Sequence, residues 1–157
     1  MLKDKAVNQL KADQAFFNRS TAVLDDKDSA FVPQEGMISV VQHVAHTADT
    51  VDWFIDGAFS PGGFDLDFEA HWARVNKIGT LSEARRYLDD AFRRAVEVVS
   101  SKTDAELLAP LPEGPIMGGM PREAAFGGIT DHTAHHRGAL TVYARLLGKV
   151  PAMPYGG

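Results

Sequence analysis

The chain has 157 residues, 45% of them hydrophobic and 24% charged. This is the size and make-up of one globular domain, residues 1–157, with enough apolar side chain for its own core. The formal net charge is -5, which repels a phosphate backbone and sets nucleic acid aside as a partner. There is no cysteine, so disulfides, thiolate zinc sites and thiol nucleophiles are excluded, and a transition-metal site has to be built from histidine and carboxylate. Met1 to Gln14 is charged throughout, without the apolar stretch of a secretory signal, and no run is apolar for long enough to span a bilayer. A cytoplasmic protein with no membrane partner is expected.

The hydrophobic pattern predicts an all-α protein with four main helices. Leu2, Ala6, Leu10 and Phe17 recur at helical spacing and predict the first helix over Leu2 to Leu24. Asp25 to Gly36 is polar, holds Pro33, and reads as a connector. The second helix is predicted from Ser39 to Ala58, with Val40, Val44, Val51 and Ile55 along one side. Ser60-Pro61-Gly62-Gly63 breaks it, and the long connection to Gly79 has room for a short helix over Glu69 to Val75.

The third helix starts at the capping box Thr80-Leu81-Ser82-Glu83 and runs to Ser101. Its Arg85, Arg86, Arg93 and Arg94 read as one solvated face. A second capping box, Thr103-Asp104-Ala105-Glu106, predicts a short turn that Pro110 stops. The last helix is predicted from Pro121, a favourable first-turn residue, to Leu147, with Gly148 as its terminator. Gly127-Gly128 marks a bend or a close helix contact inside it, and Pro151 to Gly157 is expected as an extended tail. Amphipathic helices of this length predict a four-helix bundle, with connections too long for the simplest up-and-down topology.

Chemistry concentrates in the histidines. His132 and His136 stand at i and i+4, so both leave one face of the last helix, a turn apart. Two imidazoles so placed reach one ion at nitrogen–metal distances of about 2.0–2.1 Å. Thr133 stands where a metalloprotease of the His-Glu-x-x-His type carries its glutamate, so that reaction is not expected. The second helix carries His43 and His46, either of which a bundle brings beside this pair. On the helical wheel His43 lies nearer the apolar side. Asp49, one turn beyond His46, is a candidate assisting base or an ordinary solvated carboxylate. His71 and Trp72 lie in the long connection, where they serve as a lid or in packing. Unperturbed imidazoles would release a metal as pH falls through roughly 6 to 5.

The segment Asp131-His132-Thr133-Ala134-His135-His136-Arg137-Gly138-Ala139-Leu140 resembles the His-x-x-x-His-Arg-Gly-Gln-Leu signature of the DinB-like (YfiT-like) family. Tyr143, Leu146, Leu147 and Gly148 continue the likeness, and Ser39-Val40-Val41-Gln42-His43-Val44-Ala45-His46 with Trp53-Phe54 resembles the family's second-helix motif. Ala139 departs from it where glutamine is usual. The resemblance implies a four-helix bundle, commonly a homodimer, with one divalent metal on three histidines. In the family the second-helix ligand stands about seven residues before an aromatic pair, and His46 stands seven before Trp53. That register favours a ligand set of His46, His132 and His136 over one with His43. Imidazole ligands suit zinc or nickel first. Thiol-dependent relatives imply a thiol-transferase-like or hydrolase-like reaction on a small molecule, with a low-molecular-weight thiol as a possible partner. The alternative is a non-catalytic metal-binding or stress-response bundle acting through dimerisation.

Overall fold

The computed structural model describes residues 1–156; Gly157, the end of the expected tail, lies outside them. All regular structure among these residues is helical: α1 (Leu2–Thr21), α2 (Val40–Phe59), α3 (Phe68–Val75), α4 (Leu81–Ser100), α5 (Asp104–Leu108) and α6 (Ala124–Leu146), with a 3-10 turn at Asp26–Asp28. Among the described residues no helix is long and apolar enough to cross a membrane.

The capping residues set the helix starts. Ser39 accepts from the Gln42 amide while the Gln42 side chain accepts from the Ser39 amide at 2.8 Å. Thr80 with Glu83, and Thr103 with Glu106, close the same reciprocal pair at α4 and α5. Each pair satisfies amides that have no partner inside the helix. At the other end of α6, Gly148 takes φ 74°, the left-handed conformation glycine adopts without strain.

Two boundaries differ from expectation. α1 stops at Thr21, short of Leu24, because the Arg85 guanidinium on α4 takes the terminal carbonyls of Thr21 (2.7 Å) and Leu24 (3.3 Å). α6 starts at Ala124 rather than Pro121. The amides of Arg122 and Glu123 are already bonded to the carbonyls of Ala109 and Leu107, at 3.0 Å each, so the chain there is tied to α5 before it coils. The arginine face expected on α4 also divides. Arg86 and Arg93 are exposed, but Arg85 caps α1, and Arg94 reaches α2 to pair with Asp52 (2.7 Å) and Asp56.

The four long helices pack in the cyclic order α1, α4, α2, α6. The chain therefore crosses the bundle diagonally between α1 and α2 and again between α4 and α6. Phe17, Leu10, Val40, Val44, Leu88 and Phe92 fill the centre, all fully buried. α3 lies chiefly against α2. The tail is extended but pinned: Tyr155 packs edge-on against Phe16 with centroids 5.0 Å apart, and Arg19 donates to the Pro154 carbonyl.

Candidate metal centre

The contact between α2 and α6 brings His46 to His132 and His136. Nε2 of His132 lies 3.2 Å from Nε2 of His46 and 3.1 Å from Nε2 of His136. One nitrogen from each of the three falls within 4.8 Å of the others. Two ligands about 2.0–2.1 Å from a tetrahedral ion stand about 3.3–3.4 Å apart, so the spacing found here is close to that of a ligand set. The three facing Nε2 atoms also cannot all be satisfied by one another, since in a neutral imidazole a given nitrogen either donates or accepts, never both.

The protonation states agree with ligation. Burial, followed by the neighbouring His46 and His135, pushes His132 down to about 4. Burial, then His132 and His43, pushes His136 down to about 2. His46 is lowered too, chiefly by burial, against the opposing pull of Asp49. All three are thus neutral at pH 7, the form that binds a metal.

His43 takes a different place. It is 6% exposed and stands behind the cluster, its Nδ1 2.8 Å from Nδ1 of His136, its ring edge-on to Tyr143. A hydrogen bond between the two Nδ1 atoms leaves Nε2 of His136 free to face the other histidines, the usual role of an outer partner to a ligating imidazole.

Asp49 is not a solvated carboxylate. It is 4% exposed and accepts from His71 Nδ1 (2.6 Å), Arg74 Nε (2.9 Å) and the Tyr87 hydroxyl (2.9 Å). Burial raises its pKa, but these three donors outweigh it and hold the carboxyl below its ordinary range. Two of the donors, His71 and Arg74, flank Trp72 on α3. The Trp72 indole lies flat on the His46 ring, with centroids 4.8 Å apart and planes 14° apart. The connection thus reaches the site through Trp72 directly and through His71 by way of Asp49.

A cavity of about 450 Å³ opens beside the histidines, walled by Trp53, Phe54, Phe68 and Trp72. His46, His132 and His71 line it too, with Thr50, Asp131 and the exposed His135 among its polar groups. Gly128 forms part of the wall, where a Cβ would come within 2.4 Å of the Phe54 ring; the close-contact reading of Gly127-Gly128 holds at the second glycine. Arg137 lies elsewhere, over the rings of Phe16 and Tyr155 at 5.8 Å. Sequence reasoning missed Arg74 and Tyr87 as partners of Asp49. For Arg74 there was a signal, its i+3 spacing from His71; for Tyr87, on another helix, there was none.

The model of the DinB superfamily matches residues 9–140 of the chain. Two solved structures share the fold. YfiT from Bacillus subtilis, described as "a probable metal-dependent hydrolase with an unusual four-helix bundle topology", is 21% identical with a TM-score of 0.73, over 94% of this chain and 88% of its own. The DinB-like protein YjoA from Bacillus subtilis is 16% identical with a TM-score of 0.67, over 95% of this chain and 97% of its own. No functionally curated protein matches the chain.

Proposed function

The chain belongs to the DinB superfamily, and on that premise we propose that it is a metal-dependent enzyme of hydrolytic type, holding one divalent transition metal, zinc or nickel, on His46, His132 and His136. The observation that carries this reading is the convergence of three neutral imidazole nitrogens at the edge of a cavity of small-molecule size. The description of YfiT as a metal-dependent hydrolase supports it. An ion held by three protein ligands keeps a position open, and acts there as a Lewis acid that eases loss of a proton from water or a thiol and polarises a carbonyl.

The chain's own groups position and shield. His43 fixes the tautomer and the ring plane of His136. Trp72 covers one face of His46. Asp49 has its oxygens taken by three donors, so its contribution is to hold His71 and Arg74, and with them Trp72, in place over the site. The aromatic walls give the side of the cavity away from the histidines an apolar surface.

Metal content measured by mass spectrometry, with a panel of ester, amide and thiol-plus-electrophile substrates, tests this. One equivalent of zinc or nickel is expected in the parent chain, and none in His46→Ala, His132→Ala or His136→Ala. His43→Ala should keep the stoichiometry with affinity weaker by about 10–100-fold. Full metal content in any of the first three variants would refute the ligand set. Turnover only when a low-molecular-weight thiol is supplied would move the reaction from hydrolysis to thiol transfer.

A further inference from the structure

We infer that the cavity beside the three histidines takes an uncharged or cationic molecule through a flat, apolar ring, and turns away molecules that present a carboxylate or phosphate there. This deepens the reading of the cavity as the substrate site of a metal centre, and rests on it.

The walls carry the first half of the inference. Trp53, Phe54, Phe68 and Trp72 all line the space, and Phe68 and Trp72 remain 53% and 36% exposed. Large aromatic side chains left open to solvent on a helix as short as α3 lose the benefit of burial until something covers them. Their ring faces offer stacking to a planar ligand, and attraction to a positive charge. Gly128 supports the shape: with any side chain there, the ring of Phe54, which lines the cavity, would have to give way.

The charges carry the second half. No lysine or arginine lines the cavity. Arg74, on the same short helix, is not part of the lining and is bound by Asp49. The carboxylate of Asp131 is among the lining groups, beside that of Asp49, which is already held by its three donors. The indole N–H of Trp53 is already given to the Asp65 carbonyl at 2.6 Å, so it is not available to a ligand. An anion entering the aromatic end, away from the three histidines, would lose its hydration with no lysine or arginine to replace it.

The chain supplies its own reporter. Trp53 and Trp72 are its two tryptophans, and both line the cavity, so tryptophan fluorescence, excited apart from the tyrosines, reports on this space. Benzyl alcohol, benzylamine and benzoate share one ring and differ in charge. They are titrated into the metal-free chain, where no ion can hold the carboxylate. Saturable fluorescence changes are expected for the alcohol and the amine, with Kd of about 0.1–5 mM, and binding of benzoate at least about tenfold weaker. Phe68→Ser, at an exposed position whose loss leaves the core intact, should weaken benzyl alcohol severalfold with an unchanged circular dichroism spectrum.

Benzoate binding as tightly as the alcohol, no saturable change with any probe, or a Phe68→Ser curve identical to the parent would each overturn the inference. Zinc is titrated separately, with metal content as readout. Zinc that fails to bind while the probes bind would overturn the metal reading and leave the cavity's preference standing; the reverse result would overturn only the preference.

Discussion

At the scale of single residues, the depressed histidines change the expected pH response of metal binding. Ligation requires the neutral ring, and an ordinary imidazole begins to take up protons near pH 6.5. His132 at about 4 and His136 at about 2, each lowered first by burial, stay neutral well below that. Because the shift is downward, the ligating form persists to lower pH, and protons compete with the metal later than the pH 6 to 5 expected of exposed imidazoles. Equilibrium dialysis with metal analysis should find the ion still bound at about pH 5 and lost near about pH 4. Half of it lost by about pH 6 would mean that the rings are more hydrated than the packing of α2 on α6 indicates.

At the scale of elements, α3 is the part with least support of its own. It has eight residues, too few to be stable in isolation, and its main packing is against α2. Asp49 ties it down by bonds on either side of Trp72. Asp49→Asn keeps the shape but turns one acceptor oxygen into a donor facing Arg74, His71 or Tyr87. Arg74 is half exposed, which limits the ion pair's worth, so a stability loss of about 1–2 kcal/mol is expected. The fluorescence of Trp72 should shift towards that of a hydrated indole, with metal stoichiometry unchanged. A variant with parental fluorescence and stability would show that Asp49 does not hold α3. Loss of the metal would place Asp49 in the ligand set.

At the scale of the whole molecule, the core lies in the bundle and the histidines at the α2–α6 seam. Phe17, Phe92, Leu88 and Leu140 are fully buried without any part in the site. Removing the ion should therefore leave the fold in place. A chelator is expected to preserve far-UV circular dichroism and to lower Tm by roughly 5–10 °C, the effect of losing a ligand present at about 100 times its Kd. Loss of helicity on chelation would identify a structural metal instead.

The elements were legible because their causes are local. A hydroxyl three residues before a glutamate or glutamine, an apolar stripe at helical spacing, and a glycine after the last turn act within one or two turns of chain. They are spelled out at Ser39, Thr80, Thr103 and Gly148. The pair His132 and His136 was legible on the same ground, since i and i+4 share a face whatever the helix packs against. The partners of these groups were not local. His43 and His46 stand at i and i+3 on one side of α2, and the helical wheel pointed to the wrong one for direct contact with His132. The height and rotation of α2 against α6 put His46 at the cluster and His43 behind it. The same holds for Asp49, whose donors come from α3 and α4, and for Arg85 and Arg94, which end up on α1 and α2 rather than in water. The sequence by itself determined which helices form and which faces they present. The cyclic order of the bundle, with its two diagonal crossings, decided which faces meet, because contacts between segments far apart in sequence depend on packing the whole core at once rather than on any short stretch of chain.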